Sequence, residues 1–463
     1  MRADWRFRRP GTVAWRKFEQ LPLPAPGVPS LSRWSPALAS AQDFHALHRS
    51  STSQSCCIAL LCRGVPLHIL ESFVRYHCYI GFECIFLYFD DPAEAAALSS
   101  FAASEQRCII TACDAAYWKT RLAASEMVAR SQTGEQRVFE DVALYWEQEV
   151  QSRQSLCVED AIIRAVDRGL DWLLHIDADE CFLPQTTHPV DFFALIPPAV
   201  EQVFFANVEV LPVAQQADRS ATNSMPLNIS NWLEQCVTFK VNPAHVEPRA
   251  ALEAVWGRIE KARQHAIAGR HDCASESEQQ QLRRPTSYFT AYASGKSAVR
   301  LPRRSSRSEA AKTVPAAGAV LPVPFDVHKF LVPNGIGGWR VPRTLTCTDG
   351  LDHTDAPVVL HYPACGFNHW LSKYKLLGKF ADHWWGRVPC RIPAHLQSRD
   401  VVQRQNRERC EQYYRWHIWG NVLGEHAVME AHGLLRRITF VRSVLTEALS
   451  GSSTTDTREQ WPH

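Results

Sequence analysis

Between residues 57 and 180, short wholly apolar runs alternate with longer segments of helical period, and that alternation leaves few folds open. Cys57-Ile-Ala-Leu-Leu-Cys62 and Cys84-Ile-Phe-Leu-Tyr-Phe89 read as strands buried on both faces. Between them, Pro66 to His77 sets Leu67, Leu70, Phe73 and Val74 on one helical face, with proline at the start and Gly81 past the end. Strand, helix and strand within about forty residues form a βαβ unit, whose crossover is right-handed because strands twist. Ala93 to Ala103 reads as a second helix and Cys108 to Ala112 as a third strand. Arg153 to Asp167 reads as a helix with Leu156, Ala161, Ile162 and Val166 on its apolar side, and Trp172 to Ile176 as a further strand. The expectation is an α/β fold, a mostly parallel sheet flanked by helices.

Around that unit the organisation is less regular. Residues 1–53, rich in proline, serine and arginine, read as an irregular leader. The catalytic unit is expected over 54–380, with hydrophilic insertions at about 244–286 and 302–318. Ala250 to Ala266 is helical in pattern within the first insertion, and strands are expected to resume at Ser287–Tyr292 and Pro324–His328. A helical extension follows over 381–449 and a flexible tail over 450–463.

Composition removes several classes. A 46% hydrophobic content over 463 residues can bury a large core. Fifty basic against forty-eight acidic side chains leave a net charge of +2, so there is no global field for nucleic acid or anionic lipid. Twenty-one glycines and twenty-eight prolines show no collagen-like period and no repeat. The fifteen cysteines scatter without paired CxxC spacing, so they read as small buried hydrophobes rather than zinc ligands, with one or two disulfides left open. The basic start Met1 to Pro10 leads into no apolar run, and neither a signal peptide nor a membrane segment is visible.

Asp177-Ala-Asp-Glu180 is the most informative segment. Following a buried strand, it lies at the carboxyl edge of the sheet, where open α/β sheets bind ligands. In an extended chain Asp177 and Asp179 would face the same side. Their mutual repulsion and loss of water would be relieved by a divalent cation, Mn2+ or Mg2+. An acidic surface turn is the other reading, and the return to apolar Phe182 and Leu183 argues against it.

Trp172-Leu-Leu-His-Ile-Asp-Ala-Asp-Glu-Cys-Phe-Leu-Pro184 resembles a segment of GT-A-fold glycosyltransferases, above all the family 92 and family 2-like group. Glu71 to His77 with Gly81 to Asp91, then Gly295-Lys296-Ser-Ala-Val-Arg300, Asp326-Val-His328, His361-Tyr-Pro363 and Lys373, are similar to further blocks of that group in the same order. The likeness runs from about residue 55 to 380 with the insertions unmatched, and Cys181 stands where the group favours phenylalanine.

The resemblance implies a GT-A-type, Rossmann-like fold. It also implies a nucleotide-sugar donor, a glycan or other hydroxyl acceptor, and inversion at the anomeric centre. Asp179 would be the chief metal ligand with Asp177 its partner, and the ion would steady the leaving diphosphate. His328, then His361, would complete the shell, unless each is a structural histidine. Asp326 is the candidate base; Glu180 would orient the acceptor or support the turn. Asp90 and Asp91 would lie by the nucleotide, or form an Asx turn before Pro92. Arg153 and Gln154 match a position leading the helix before the acidic segment. Lys296 and Arg300 would offset diphosphate charge or be solvated, and Lys373 and Lys375 would bind donor phosphate or belong to an amphipathic helix. Trp339, Trp370, Trp384 and Trp385 are acceptor-stacking or core residues. A nucleotidyltransferase is disfavoured because no glycine-rich phosphate loop is present; a non-catalytic glycan-binding protein is the remaining rival. The resemblance points to the secretory pathway, and Asn228-Ile-Ser230 matches a glycosylation sequon.

Overall fold

A computed structural model describes residues 36–47, 54–131, 137–212, 225–246, 248–268, 289–292, 294–303, 320–347, 356–421 and 424–450. The first half follows the alternation in the sequence: β1 (Cys56–Cys62), α1 (Leu67–Tyr79), β2 (Cys84–Phe89), α2 (Pro92–Ser104), β3 (Cys108–Ala112), α3 (Val150–Asp167), β4 (Trp172–His175) and β5 (Glu180–Leu183). Then come β6 (Gln202–Phe205), β7 (Asn207–Val210), β8 (Thr238–Lys240), α4 (Arg249–Ala268), β9 (Lys296–Arg300), β10 (Thr344–Thr346) and β11 (Val358–His361). The chain continues through α5 (Phe367–Leu377), β12 (Leu435–Arg437) and α6 (Phe440–Ser450), with further short helices between α5 and β12.

Seven strands form the main sheet in the order β10-β6-β9-β4-β1-β2-β3. β4, β1, β2 and β3 are mutually parallel, while β9 runs antiparallel between β4 and β6. Every residue of β1 and β2 is buried, which is why both read as unbroken apolar runs. Alternate side chains enter opposite layers: Ile58 and Leu60 join one core with Phe73 and Trp172, whereas Cys57 and Ala59 join another with Ala161 and Ile162 of α3. A second sheet, ordered β12-β8-β7-β11-β5, receives the chain as it leaves β4. The fold is mixed α/β.

Two expected strands are not formed as such. Residues 289–292 are irregular, and only Val323–Pro324 of the later stretch is strand, paired with Phe330–Pro333 while 325–328 bend. Phe289 of the first stretch packs in the main core without joining a ladder, and Phe325 of the second is exposed. The helix expected within 244–286 is present as α4, and it sends Leu252, Val255 and Ile259 into the main core. The fourteen described cysteines are buried and free. No helix among the described residues is long and apolar enough to cross a membrane.

Candidate functional site

The parallel run of β1 to β4 brings Asp90, after β2, and Asp177, after β4, to one carboxyl edge. Consecutive residues near the start of α3 hold them there. Arg153 donates to Asp90 Oδ1 at 2.7 Å and to Oδ2 at 3.1 Å, a two-pronged contact that fixes the carboxylate plane. Gln154 Nε2 donates to Asp177 Oδ1 at 2.7 Å. Asp90 and Arg153 also line a 350 Å³ cavity with Arg63, Asp91, Pro92, Trp146 and Glu147. Asp91 caps α2, its Oδ1 accepting the Ala93 N–H at 3.0 Å, so the turn before Pro92 is formed at the cavity wall.

Residues 177–180 are not extended. The Glu180 N–H donates to the Asp177 carbonyl at 3.0 Å, closing a turn that hands the chain from β4 in one sheet to β5 in the other. Asp177 and Asp179 therefore do not share a side through strand alternation. Each aspartate instead meets its own lysine. Lys296 Nζ, at the start of β9, donates to Asp177 Oδ2 at 2.8 Å. Lys373 Nζ, from α5, donates to Asp179 Oδ2 at 2.7 Å. Burial alone would raise both carboxyl groups, but the ammonium beside each outweighs it and holds both below the ordinary range.

Glu180 is fully buried and spent within the turn: Oε2 accepts the Asp177 N–H at 2.8 Å, and Oε1 accepts the Tyr292 hydroxyl. Burial pushes its pKa to about 8 against the pull of Lys296, and the neighbouring charges of Asp177 and Asp179 add to that rise. Tyr292 is a residue that sequence reasoning missed. Its ring stacks on His361, with centroids 4.7 Å apart, and meets His328 edge-on at 4.7 Å. The irregular segment carrying it is pinned by Glu209, a second missed residue, whose carboxylate accepts the Thr290 and Ala291 N–H groups and pairs with Lys240. In register, Glu180, His361, Glu209 and Lys240 form one row across β5, β11, β7 and β8. That row was invisible as a motif because its four members are far apart in sequence.

The remaining expected residues are placed as follows. His361 Nε2 lies 3.9 Å from Asp179 Oδ2 and its Nδ1 has no hydrogen-bond partner among the described residues. His328 donates from Nδ1 to the Gly295 carbonyl at 2.8 Å, which leaves Nε2 as the lone-pair nitrogen. Asp326 Oδ1 accepts the His328 N–H at 2.7 Å and so stabilises the bend. Arg300 is at the opposite end of β9, in register with Trp172, where its guanidinium stacks 4.4 Å from that ring. It cannot offset charge at the acidic turn. Trp370 and Trp339 are core residues. Lys296 reaches the turn because β9 crowds β6: a Cβ on Gly295 would stand 1.6 Å from the Phe205 carbonyl oxygen.

Among the described residues no three His, Cys, Asp or Glu side chains converge as a metal shell. Asp177 and Asp179 carry the right oxygens, but each is already in contact with an ammonium. As arranged, Asp177, Asp179, His328 and His361 do not fit an ion.

No protein-family model matches the chain. Over 224 residues, 48% of this chain, it is 26% identical to a glycosyltransferase-like protein of Arabidopsis thaliana. The match spans 36% of that relative's length. Core-mannan synthase A of Aspergillus fumigatus, solved in a Mn/GDP form, aligns over 41% of this chain and 51% of its own, at 14% identity. The TM-score of that alignment is 0.21.

Proposed function

We propose that the chain is a GT-A-type glycosyltransferase that moves a sugar from a nucleotide-sugar donor to a hydroxyl of a glycan or related acceptor, with inversion. The carrying observation is the pair Arg153 and Gln154, which hold Asp90, after β2, and Asp177, after β4, along one carboxyl edge of the sheet, the edge at which open α/β sheets bind ligands. The glycosyltransferase-like Arabidopsis relative supports the reading, as does a parallel sheet interrupted by one antiparallel strand that delivers a lysine to the acidic turn.

In this reading the nucleoside enters the 350 Å³ cavity, where Trp146 offers an apolar wall and Asp91 and Glu147 offer carboxylates to its hydroxyls. The diphosphate then lies toward Asp177 and Asp179. The acceptor oxygen forms a bond to the anomeric carbon as the bond from that carbon to the diphosphate oxygen breaks, its electron pair leaving with the phosphate. The acceptor proton goes to a base. Asp326 is proposed for that role through Oδ2, since Oδ1 is taken by the His328 N–H. Glu180 acts as a positioning residue because both its oxygens are committed, one to the Asp177 N–H and the other to the Tyr292 hydroxyl. Turnover of a panel of nucleotide-sugars, with wild type compared to Asp179→Ala, tests the assignment. Loss of transfer in a variant that still melts cooperatively is expected; full turnover by that variant would defeat it.

A further inference from the structure

Resting on the glycosyltransferase reading, we infer that this site supplies its own cation: Lys373, aimed by Asp179, meets the leaving diphosphate where a divalent ion would otherwise sit. Two lysines stand on the acidic turn, and they are not equivalent. Lys296 is fully buried, and its three ammonium protons have three acceptors within reach: Asp177 Oδ2 at 2.8 Å, the Val327 carbonyl at 3.2 Å and Glu180 Oε2 at 3.5 Å. It holds the turn in register and has nothing left for a substrate. Lys373 keeps 29% of its side chain exposed beside an Asp179 that keeps 19%. Two of its protons go to Asp179 at 2.7 Å and to the Pro363 carbonyl at 3.4 Å, and a third is left to donate to a phosphate oxygen.

The charge count favours the same conclusion. A shell for a divalent ion works by presenting an excess of negative oxygens. Here three carboxylates at the turn face two ammonium groups in direct contact, leaving at most one net negative charge. The histidines expected to complete the shell do not converge on the aspartates: His328 bonds Gly295 through Nδ1, and His361 is stacked on Tyr292 with Nε2 no nearer than 3.9 Å to Asp179 Oδ2. A small dication would have to displace the ammonium from Asp179, whereas a phosphate oxygen can accept the proton that Lys373 has left. Lysine serves well as a point charge on phosphate. In the transfer step the departing oxygen gains charge next to Lys373, and no proton need move for that charge to be stabilised.

The test uses the full chain. Mn2+ binding is followed by electron paramagnetic resonance, and transfer is assayed in EDTA and in excess manganese, for wild type, Lys373→Arg and Lys373→Ala. Wild type is expected to transfer undiminished in EDTA and to leave Mn2+ free in solution. Lys373→Ala should lose about 100-fold or more in kcat with little change in acceptor KM, Lys373→Arg should retain part of it, and manganese should partly rescue Lys373→Ala because Asp179 is then released to bind it. Transfer that stops in EDTA, or saturable Mn2+ binding by wild type that Asp177→Asn abolishes, overturns the inference alone. Absence of both transfer and nucleotide-sugar binding, with or without manganese, overturns the glycosyltransferase reading and this inference with it.

Discussion

Lys373 Nζ stands 2.7 Å from Asp179 Oδ2 although 194 residues separate the two along the chain. The contact exists because the Tyr362 N–H binds the Asp179 carbonyl at 2.8 Å, which places the end of β11 against the acidic turn, and α5 begins shortly afterwards. Gly366, at φ 89°, makes the bend between them that a side-chain-bearing residue would adopt only with strain. The relationship between the aspartate and its lysine is thus a property of how the second sheet closes over the first.

Lys296→Met should be strongly destabilising. It leaves Asp177 and buried Glu180 facing each other without their shared cation, and removing one partner of a buried pair costs roughly 3–5 kcal/mol. Partial exposure of Asp177 argues for the lower end. Urea denaturation would show the loss, and adding Glu180→Gln to the same chain should recover part of it. Equal stability of Lys296→Met and wild type would contradict the pairing.

Gly295→Ala is expected to abolish folding of the main sheet. The new methyl would overlap the Phe205 carbonyl oxygen at 1.6 Å, and backbone on both sides has little room to yield. Soluble yield and the far-ultraviolet spectrum of the variant are sufficient readouts; a cooperative melt close to the wild-type temperature would refute the crowding argument.

Gln154→Ala removes the neutral donor on Asp177 Oδ1 and should cost about 1 kcal/mol of stability while weakening donor use. Gln154→Glu should be worse, because it sets a like charge against Asp177. Steady-state kinetics with thermal melts on the same samples separate the two effects. The Glu variant matching the Ala variant in transfer would mean that the contact does not govern Asp177.

Acid should unfold the protein through its buried histidines. His77 donates from Nδ1 to the Phe73 carbonyl and accepts the Phe182 N–H at Nε2, an arrangement that requires the neutral ring. Burial lowers its pKa from 6.5 to about 3, and burial does the same for His417, to about 3. The folded pKa lies below the unfolded one, so the unfolded chain takes the proton first. Stability is complete above pH 6.5 and falls as the pH drops toward 3, by about 1.4 kcal/mol per pH unit for each such ring. Denaturation midpoints measured across that window should show the slope, and His77→Gln should lessen it by one proton's worth. A profile unchanged by that substitution would mean His77 is not held neutral.

Much of the scaffold was readable beforehand. The unbroken apolar runs of β1 and β2, the faces of α1 and α3, and the acidic segment after β4 all follow from local periodicity, since burial on a sheet or helix repeats at fixed intervals. The Gly295-Lys296 pair was also visible in the sequence, although its reason, contact with Phe205, was not. Tyr292 and Glu209 escaped because one sits in an irregular segment and the other in an ordinary-looking strand. The extended reading of 177–179 failed since no local pattern announces that the chain must turn there into another sheet.

Sequence alone therefore determined the elements of the parallel half and the edge at which the carboxylates gather, because those depend on side-chain period and strand direction. Tertiary structure decided which cation each carboxylate meets. Charge pairing depends on distances of a few ångströms between groups more than a hundred residues apart, and only the closed fold sets those distances.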